Sequence, residues 1–165
     1  MTASVNWDEI VKSLGPRLYR YFAASLSDSV ADDLTQDTLL RTVRKYQDGQ
    51  IDLSRGTIDM FAFGVAKNIR FEHFKQLRAW DSFEESPDMA SPSPSAFDQL
   101  CEHEQTHRLK RSIQRLSSMQ QEVLMLTIDQ ELTMAQISQI LNVPEGTVKS
   151  HHHRARQELQ RMLEV

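Results

Sequence analysis

An acidic stretch near the middle of the chain limits what the rest can fold into. Residues 82–104 contain six acidic side chains and no lysine or arginine, and Pro87, Pro92 and Pro94 stand among serines. This composition is typical of a solvated linker, because it offers too little apolar surface to form a core. The 165-residue chain is therefore predicted to form two small domains, residues 1–81 and 105–165, joined by a flexible acidic linker. Neither part has room for a large enzyme domain.

The rest of the chain has the periodicity of helices. The whole chain contains only five glycines and five prolines, too few for a series of hairpins. In the first part, apolar residues recur at three- and four-residue steps over about residues 7–25, 30–46 and 57–79, which predicts three helices. Leu39, Val43 and Tyr46 are expected on the buried face of the second of these. We therefore expect an all-α protein.

The second part has the pattern of a helix-turn-helix. Leu109, Ile113 and Leu116 form one apolar stripe on its first helix. Thr133 is placed to cap a later, short helix, and Pro144 opens the last helix after a short turn. Two helices joined by a turn of this length are typical of DNA-binding helix-turn-helix proteins.

The last helix has two distinct faces. Successive helical residues are about 100° apart, which places Val148, His152, Ala155 and Leu159 toward the core. The opposite face carries small, polar and cationic side chains that suit base edges and phosphates in a major groove. Alone, this pattern is more often a solvated amphipathic helix, but the preceding helix and turn favour duplex DNA. The polar face consists of Gly146, Ser150, His153, Arg154 and Gln157, flanked by Lys149.

The third helix of the first part carries a cluster of cations and aromatic rings beside its core stripe of Phe61, Val65 and Ile69. A single nucleic-acid strand needs both, because cations pair with phosphates and unstacked bases lie on rings. A phenylalanine in a helix is more often part of the core, but four neighbouring cations favour strand binding. The cluster consists of Lys67, Arg70, Phe71, Phe74, Lys75 and Arg78.

The net charge of −4 would by itself argue against nucleic acid as a partner. Six of the 23 acidic side chains, however, lie within residues 82–104. Residues 105–165 carry eight basic and six acidic side chains, and both candidate DNA-binding faces are basic. The overall charge therefore does not exclude nucleic acid.

No catalytic centre, metal site or cofactor is expected. The three histidines at 151–153 point about 100° apart and cannot converge on one ion. Cys101, His103 and His107 are a better ligand set, but three ligands fall short of a closed site, so metal binding there is a side hypothesis. The sequence contains no glycine loop for phosphates and no nucleophile elbow.

The sequence also predicts a cytoplasmic protein without membrane insertion. No apolar run approaches the roughly 20 residues of a membrane span, and the first residues lack the pattern of a secretory signal. The single cysteine cannot form an internal disulfide, which is consistent with a reducing compartment.

Five motifs, in order along the chain, resemble those of the extracytoplasmic-function (ECF) sigma factors of bacterial RNA polymerase. Residues 33–41, Asp-Leu-Thr-Gln-Asp-Thr-Leu-Leu-Arg, are similar to the family's Asp-Leu-x-Gln-Glu-x-Phe-x-Arg motif. Residues 61–68, Phe-Ala-Phe-Gly-Val-Ala-Lys-Asn, are similar to its Trp-Leu-x-x-Ile-Ala-x-Asn segment. Residues 116–124, 137–141 and 146–150 match its second DNA-binding region. The two parts of the chain thus resemble sigma regions 2 and 4.

The resemblance implies a transcription initiation factor that is not an enzyme. Its expected partners are core RNA polymerase (the β′ coiled coil and the β flap), promoter DNA and an anti-sigma factor. The residues implied in polymerase binding are Asp33, Gln36, Asp37, Leu40, Arg41 and Arg44. Those implied in opening and holding the minus-10 element are Lys67, Asn68, Arg70, Phe71, Phe74, Lys75 and Arg78. Those implied in reading the minus-35 duplex are Thr147, Lys149, Ser150, His153 and Arg154.

Two other functions stay open at this point. A stand-alone helix-turn-helix regulator would bind duplex DNA without polymerase, and an enzyme is a third hypothesis that no motif favours. The sequence also departs from the family at 151–153, where Arg, a hydrophobic residue and His are common. The histidine at 151 removes a permanent cation, which leaves the strength and sequence of minus-35 recognition open.

Overall fold

The computed structural model describes residues 4–81, 97–129 and 131–164. Within these ranges the chain forms α-helices and no β-strand, which confirms the all-α class, and no helix there is long and apolar enough to cross a membrane. Residues 97–104, the last part of the predicted linker, belong to helix α4. The helices are α1 (Trp7–Ala23), α2 (Asp28–Gln47), α3 (Ile58–Asp81), α4 (Phe97–Gln114), α5 (Ser118–Ile128), α6 (Met134–Leu141) and α7 (Glu145–Leu163).

Helix α1 is the centre of the first module, residues 4–81. Asn6 caps its first turn by accepting a hydrogen bond from the Glu9 amide, and two acidic residues of that turn complement the helix dipole. Leu14, Leu18 and Phe22 recur at four-residue spacing and are almost completely buried against α2 and α3. The apolar periodicity that predicts a helix over about residues 7–25 therefore supplies core residues of this module.

Helix α2 buries a different face from the expected one. Its buried residues are Ala31, Thr35, Thr38 and Thr42, whereas Leu39, Val43 and Tyr46 are only partly buried. Each threonine hydroxyl donates a 2.7 Å hydrogen bond to the backbone carbonyl four residues earlier, so no hydroxyl is left unpaired in the interior. The small side chains allow α1 and α2 to pack closely, and the larger apolar residues lie at the edge.

The helix-turn-helix of the second module, residues 97–164, is present. Thr133 and Gln136 form a reciprocal capping box at the start of α6. Asn142 ends that helix in the left-handed conformation with φ of 54°, and Pro144 precedes the first turn of α7. The stripe predicted on α4 is correct only in part, because Ile113 is buried but Leu109 is exposed.

The two modules pack against each other. One cluster of buried residues includes Leu14 and Phe22 from the first module and Val123, Met125 and Ile137 from the second. The main contacts between modules are those of α1 with α5 and of α3 with α6. The described helices therefore form a single packed body with a cleft between α3 and α5.

Candidate nucleic-acid interface

The cleft between α3 and α5 brings together the seven residues predicted to hold a single strand. It has a volume of about 900 Å³. Helical periodicity places these residues along one side of α3, whereas the other wall comes from the second module. The first wall consists of Lys67, Asn68, Arg70, Phe71, Phe74, Lys75 and Arg78, and the second of Gln114, Ser118, Met119, Gln121, Glu122 and Leu141.

The two phenylalanines of the cleft lie in different environments. Phe74 packs against the core, and the Arg70 guanidinium lies 4.7 Å from the centre of its ring. Phe71 is 69% exposed, the most exposed large hydrophobic side chain in the described part of the chain. Phe71 is therefore the ring that is available for stacking with a base.

Two cations of the cleft are already bound by the second module. The Lys67 ammonium donates to the Ile140 carbonyl at 2.9 Å, in the last turn of α6. The Arg70 guanidinium, which is only 5% exposed, donates to Glu122 at 2.6 Å and to Gln121 at 2.7 Å. Asn68, Lys75 and Arg78 are exposed at the same cleft.

The exposed face of α2 carries the residues predicted to bind polymerase. Arg41 lies between two carboxylates, at 3.0 Å from Asp37 on its own helix and at 3.1 Å from Glu72 on α3. Leu40 is 58% exposed in the middle of these charges. A single exposed leucine is common on protein surfaces, so its exposure shows only that this side chain is accessible to a partner. The face consists of Asp33, Gln36, Asp37, Leu40, Arg41 and Arg44.

Helix α7 presents the polar face expected from its sequence. Val148 and Ala155 are completely buried, and Leu159 packs at the edge of the same core. Five residues are predicted to contact duplex DNA: Thr147, Lys149, Ser150, His153 and Arg154. Thr147 is partly buried, and the other four are exposed to solvent. The polar face of α7 therefore does not pack into the core of the second module.

Known proteins are similar to this chain in sequence and in architecture. The family model described as sigma-70, region 4, matches residues 106–159. The ECF RNA polymerase sigma factor BldN of Streptomyces coelicolor is 28% identical over 149 residues, which cover 88% of this chain and 56% of BldN. The ECF RNA polymerase sigma factor SigE of Mycolicibacterium smegmatis is 29% identical over 162 residues, which cover 95% of this chain and 61% of SigE. This chain is thus similar to sigma-70 region 4 over residues 106–159 and to ECF RNA polymerase sigma factors over most of its length.

Two solved structures have the same fold as this chain. RpoE from Bartonella quintana, in complex with the anti-sigma factor NepR, superimposes with a TM-score of 0.72 at 23% identity, over 97% of this chain and 98% of that one. CnrH, in complex with the cytosolic domain of CnrY, gives a TM-score of 0.71 at 16% identity, over 96% and 87%. The chain spans less than two thirds of the length of BldN and SigE.

Sequence reasoning missed three charged residues that lie between the modules. Arg17 is almost completely buried and donates to both carboxylate oxygens of Asp129, at 2.8 and 2.7 Å. Tyr21 donates to Glu122 at 2.8 Å, and burial raises the pKa of this hydroxyl well above its usual value, so it stays a donor. The only available signal was the position of Arg17 within the apolar stripe of α1.

No group of three metal-ligating side chains converges among the described residues. The rings of His103 and His107 share a face of α4, as expected, with their centres 6.3 Å apart. The side chain of Cys101, the third residue of the side hypothesis, lies outside the described residues. The structure therefore adds no further ligand to this pair.

We predict that a histidine of the run at 151–153 makes the stability of the protein sensitive to acid. Burial, with smaller contributions from Arg156 and His153, lowers the pKa of His152 below its usual 6.5. Because the unfolded chain binds this proton more readily, stability should fall as the pH drops through 6.5 toward the folded-state pKa. We expect the Tm of His152→Leu relative to wild type to be higher at pH 5 than at pH 7.5. His153→Leu is the matched control, since His153 is exposed, and an unchanged difference for His152→Leu would contradict the prediction.

Proposed function

We propose that the protein is a sigma factor that binds core RNA polymerase and directs initiation at specific promoters in the bacterial cytoplasm. The observation that supports this proposal is that one chain carries both a cleft with cations and an exposed ring and a helix-turn-helix with a polar outer face. The cleft offers cations and an exposed ring, which suit a single strand. The α7 face offers polar and cationic groups on a helix-turn-helix, which suit a duplex.

This combination favours a sigma factor over a stand-alone regulator. A regulator that only reads duplex DNA needs the α7 face but has no use for a strand-binding cleft. Initiation needs both, because one promoter element stays double-stranded while another is opened. We therefore propose that the cleft residues hold the minus-10 strand, and that Thr147, Lys149, Ser150, His153 and Arg154 read the minus-35 duplex.

The proposed polymerase contact is the exposed face of α2. Its exposed leucine and paired charges support a protein partner, since they lie away from the buried threonine face of the same helix. A second proposed partner is an anti-sigma factor, because RpoE and CnrH were both solved with a bound regulatory protein. The proposed factor catalyses no reaction of its own.

Transcription in vitro tests the proposal. Core polymerase from the native bacterium would be combined with the protein and a library of genomic fragments, and the 5′ ends of the transcripts would be mapped. We expect discrete start sites that core enzyme alone does not produce. Tight binding to duplex DNA without polymerase, together with no new start sites, would instead support the stand-alone regulator.

A further inference from the structure

Glu72 lies on α3, but its side chain contacts the face of α2 that is proposed to bind polymerase. It does not line the cleft, unlike its neighbour Phe71. Both of its carboxylate oxygens lie within hydrogen-bond distance of one terminal nitrogen of Arg41, Nη1, at 3.1 and 3.4 Å. Glu72 belongs to neither of the residue sets proposed to contact polymerase or DNA, so neither set explains its contact with α2.

Two carboxylates from two helices hold the Arg41 guanidinium. Asp37, one turn earlier on α2, accepts a hydrogen bond from Nε at 3.0 Å, and Glu72 accepts from Nη1. The guanidinium is planar and its donors form a rigid fork, so contacts at two of its nitrogens fix the direction of the third. No group in the described part of the chain accepts from that third nitrogen, Nη2. Nη2 is therefore left, in a fixed direction, for a partner outside the chain.

The contact between Arg41 and Glu72 does little for the stability of the fold. The two side chains are 41% and 51% exposed, and ion pairs at such exposure contribute little to folding because water screens the charges. The contact does reduce the freedom of the arginine side chain. A free arginine loses many rotamers when a partner immobilises it, whereas one that is already held in its bound direction loses fewer. The arrangement is thus suited to binding rather than to folding.

We propose that Glu72 is a positioning residue of the polymerase contact: together with Asp37 it fixes the Arg41 guanidinium so that Nη2 is presented to the polymerase beside the exposed Leu40. This inference rests on the proposed function of the α2 face. Glu72 does not contact the polymerase itself and acts only through Arg41. The group that receives Nη2 on the polymerase is a carboxylate or a backbone carbonyl, since these accept hydrogen bonds from a guanidinium.

A double-mutant cycle on the affinity for core polymerase tests this role. Dissociation constants of Glu72→Gln, Arg41→Gln and their combination would be measured by competition with fluorescently labelled wild-type protein. We expect Glu72→Gln alone to weaken binding by about two- to tenfold, the range that immobilising one flexible side chain can cost. In the Arg41→Gln background the same substitution should have no further effect, because it acts through the guanidinium. Glu158→Gln is the matched control, since it removes an exposed carboxylate paired with Arg161 on α7.

The motion of the Arg41 side chain can be measured without polymerase. Nuclear magnetic resonance relaxation of the Arg41 Nε signal reports the order of this group on the picosecond to nanosecond timescale. We expect a high order parameter in the wild-type protein, a lower one in Glu72→Gln and an unchanged one in Glu158→Gln. The Tm of both variants should stay close to that of the wild type, because both ion pairs are exposed.

The outcomes separate this inference from the proposed polymerase contact. If the wild-type protein binds no core polymerase, or if Arg41→Gln binds it as tightly as the wild type, the contact proposed for Arg41 fails and the role of Glu72 fails with it. If Arg41→Gln weakens binding but Glu72→Gln does not, or if the effect of Glu72→Gln persists without Arg41, only the positioning role is overturned. An effect of Glu72→Gln that disappears without Arg41, together with greater motion of the guanidinium, supports the inference.

Discussion

The Leu40→Asp variant should lose nearly all binding to core RNA polymerase while keeping its fold. Leu40 is 58% exposed, so its replacement removes little of the packing that stabilises the first module. On the proposed interface, the leucine is an apolar anchor surrounded by Asp37, Arg41 and Arg44. A carboxylate at the centre of such an interface loses its hydration when the partner covers it, which costs free energy even beside Arg44, and the apolar contact of the leucine is lost as well. We expect the affinity for core enzyme to fall by at least about a hundredfold.

Pull-down of purified core polymerase and promoter-specific transcription would measure this effect, and thermal unfolding would check the fold. Leu53→Asp is the matched control, because Leu53 is 47% exposed but lies in the connection between α2 and α3. The two variants should have similar Tm values, and only Leu40→Asp should fail in the pull-down. Wild-type binding by Leu40→Asp would exclude the α2 face as the polymerase contact.

The parts of the structure that depend on local pattern could be predicted from the sequence. The short helix, the turn and the α7 faces follow from Thr133, Pro144 and the spacing of Val148 and Ala155, and all lie within a few residues of one another. A capping residue or an apolar period acts over one or two helical turns. The α7 polar face was therefore placed correctly on the solvent side before the tertiary structure was known.

The buried face of α2 could not be predicted from hydrophobicity. A search for the most apolar stripe selects Leu39, Val43 and Tyr46, because a threonine counts as polar. In the folded helix the threonine hydroxyl is paired with the preceding turn, so Thr38 and Thr42 present mainly their methyl groups to α1. Close helix packing selects for this small size, and that selection depends on the neighbouring helix rather than on the local sequence.

The contacts between the modules also could not be predicted from the sequence. Arg17 and Asp129 are 112 residues apart, and Arg70 and Glu122 are 52 apart, with the acidic stretch between them. A charge pattern shows that cations and carboxylates exist, but it does not show which of them meet across a core. The sequence placed the cluster of cations and rings beside the core stripe of α3, but it did not show that Arg70 is buried and paired.

The Phe71→Ala variant should bind polymerase normally but open promoters poorly. In the described structure Phe71 is the exposed ring of the cleft, and stacking of one base on such a ring contributes about 1–3 kcal/mol. We expect the yield of open promoter complexes to fall by about tenfold to a hundredfold at limiting DNA. Permanganate reactivity of unpaired thymines at the minus-10 element would measure it, in complexes with core polymerase.

Leu77→Ala is the matched control for Phe71→Ala, because Leu77 is 43% exposed on the same helix but does not line the cleft. Phe71→Tyr should restore most of the lost opening, since tyrosine keeps a ring of the same size. The combination of results distinguishes the two proposed surfaces. Loss of opening with intact pull-down assigns Phe71 to the strand, whereas loss of both activities would mean that the substitution disturbs the fold of α3. Full opening by Phe71→Ala would show that the strand does not stack on this ring, and the exposed cations Lys75 and Arg78 would then have to hold it alone.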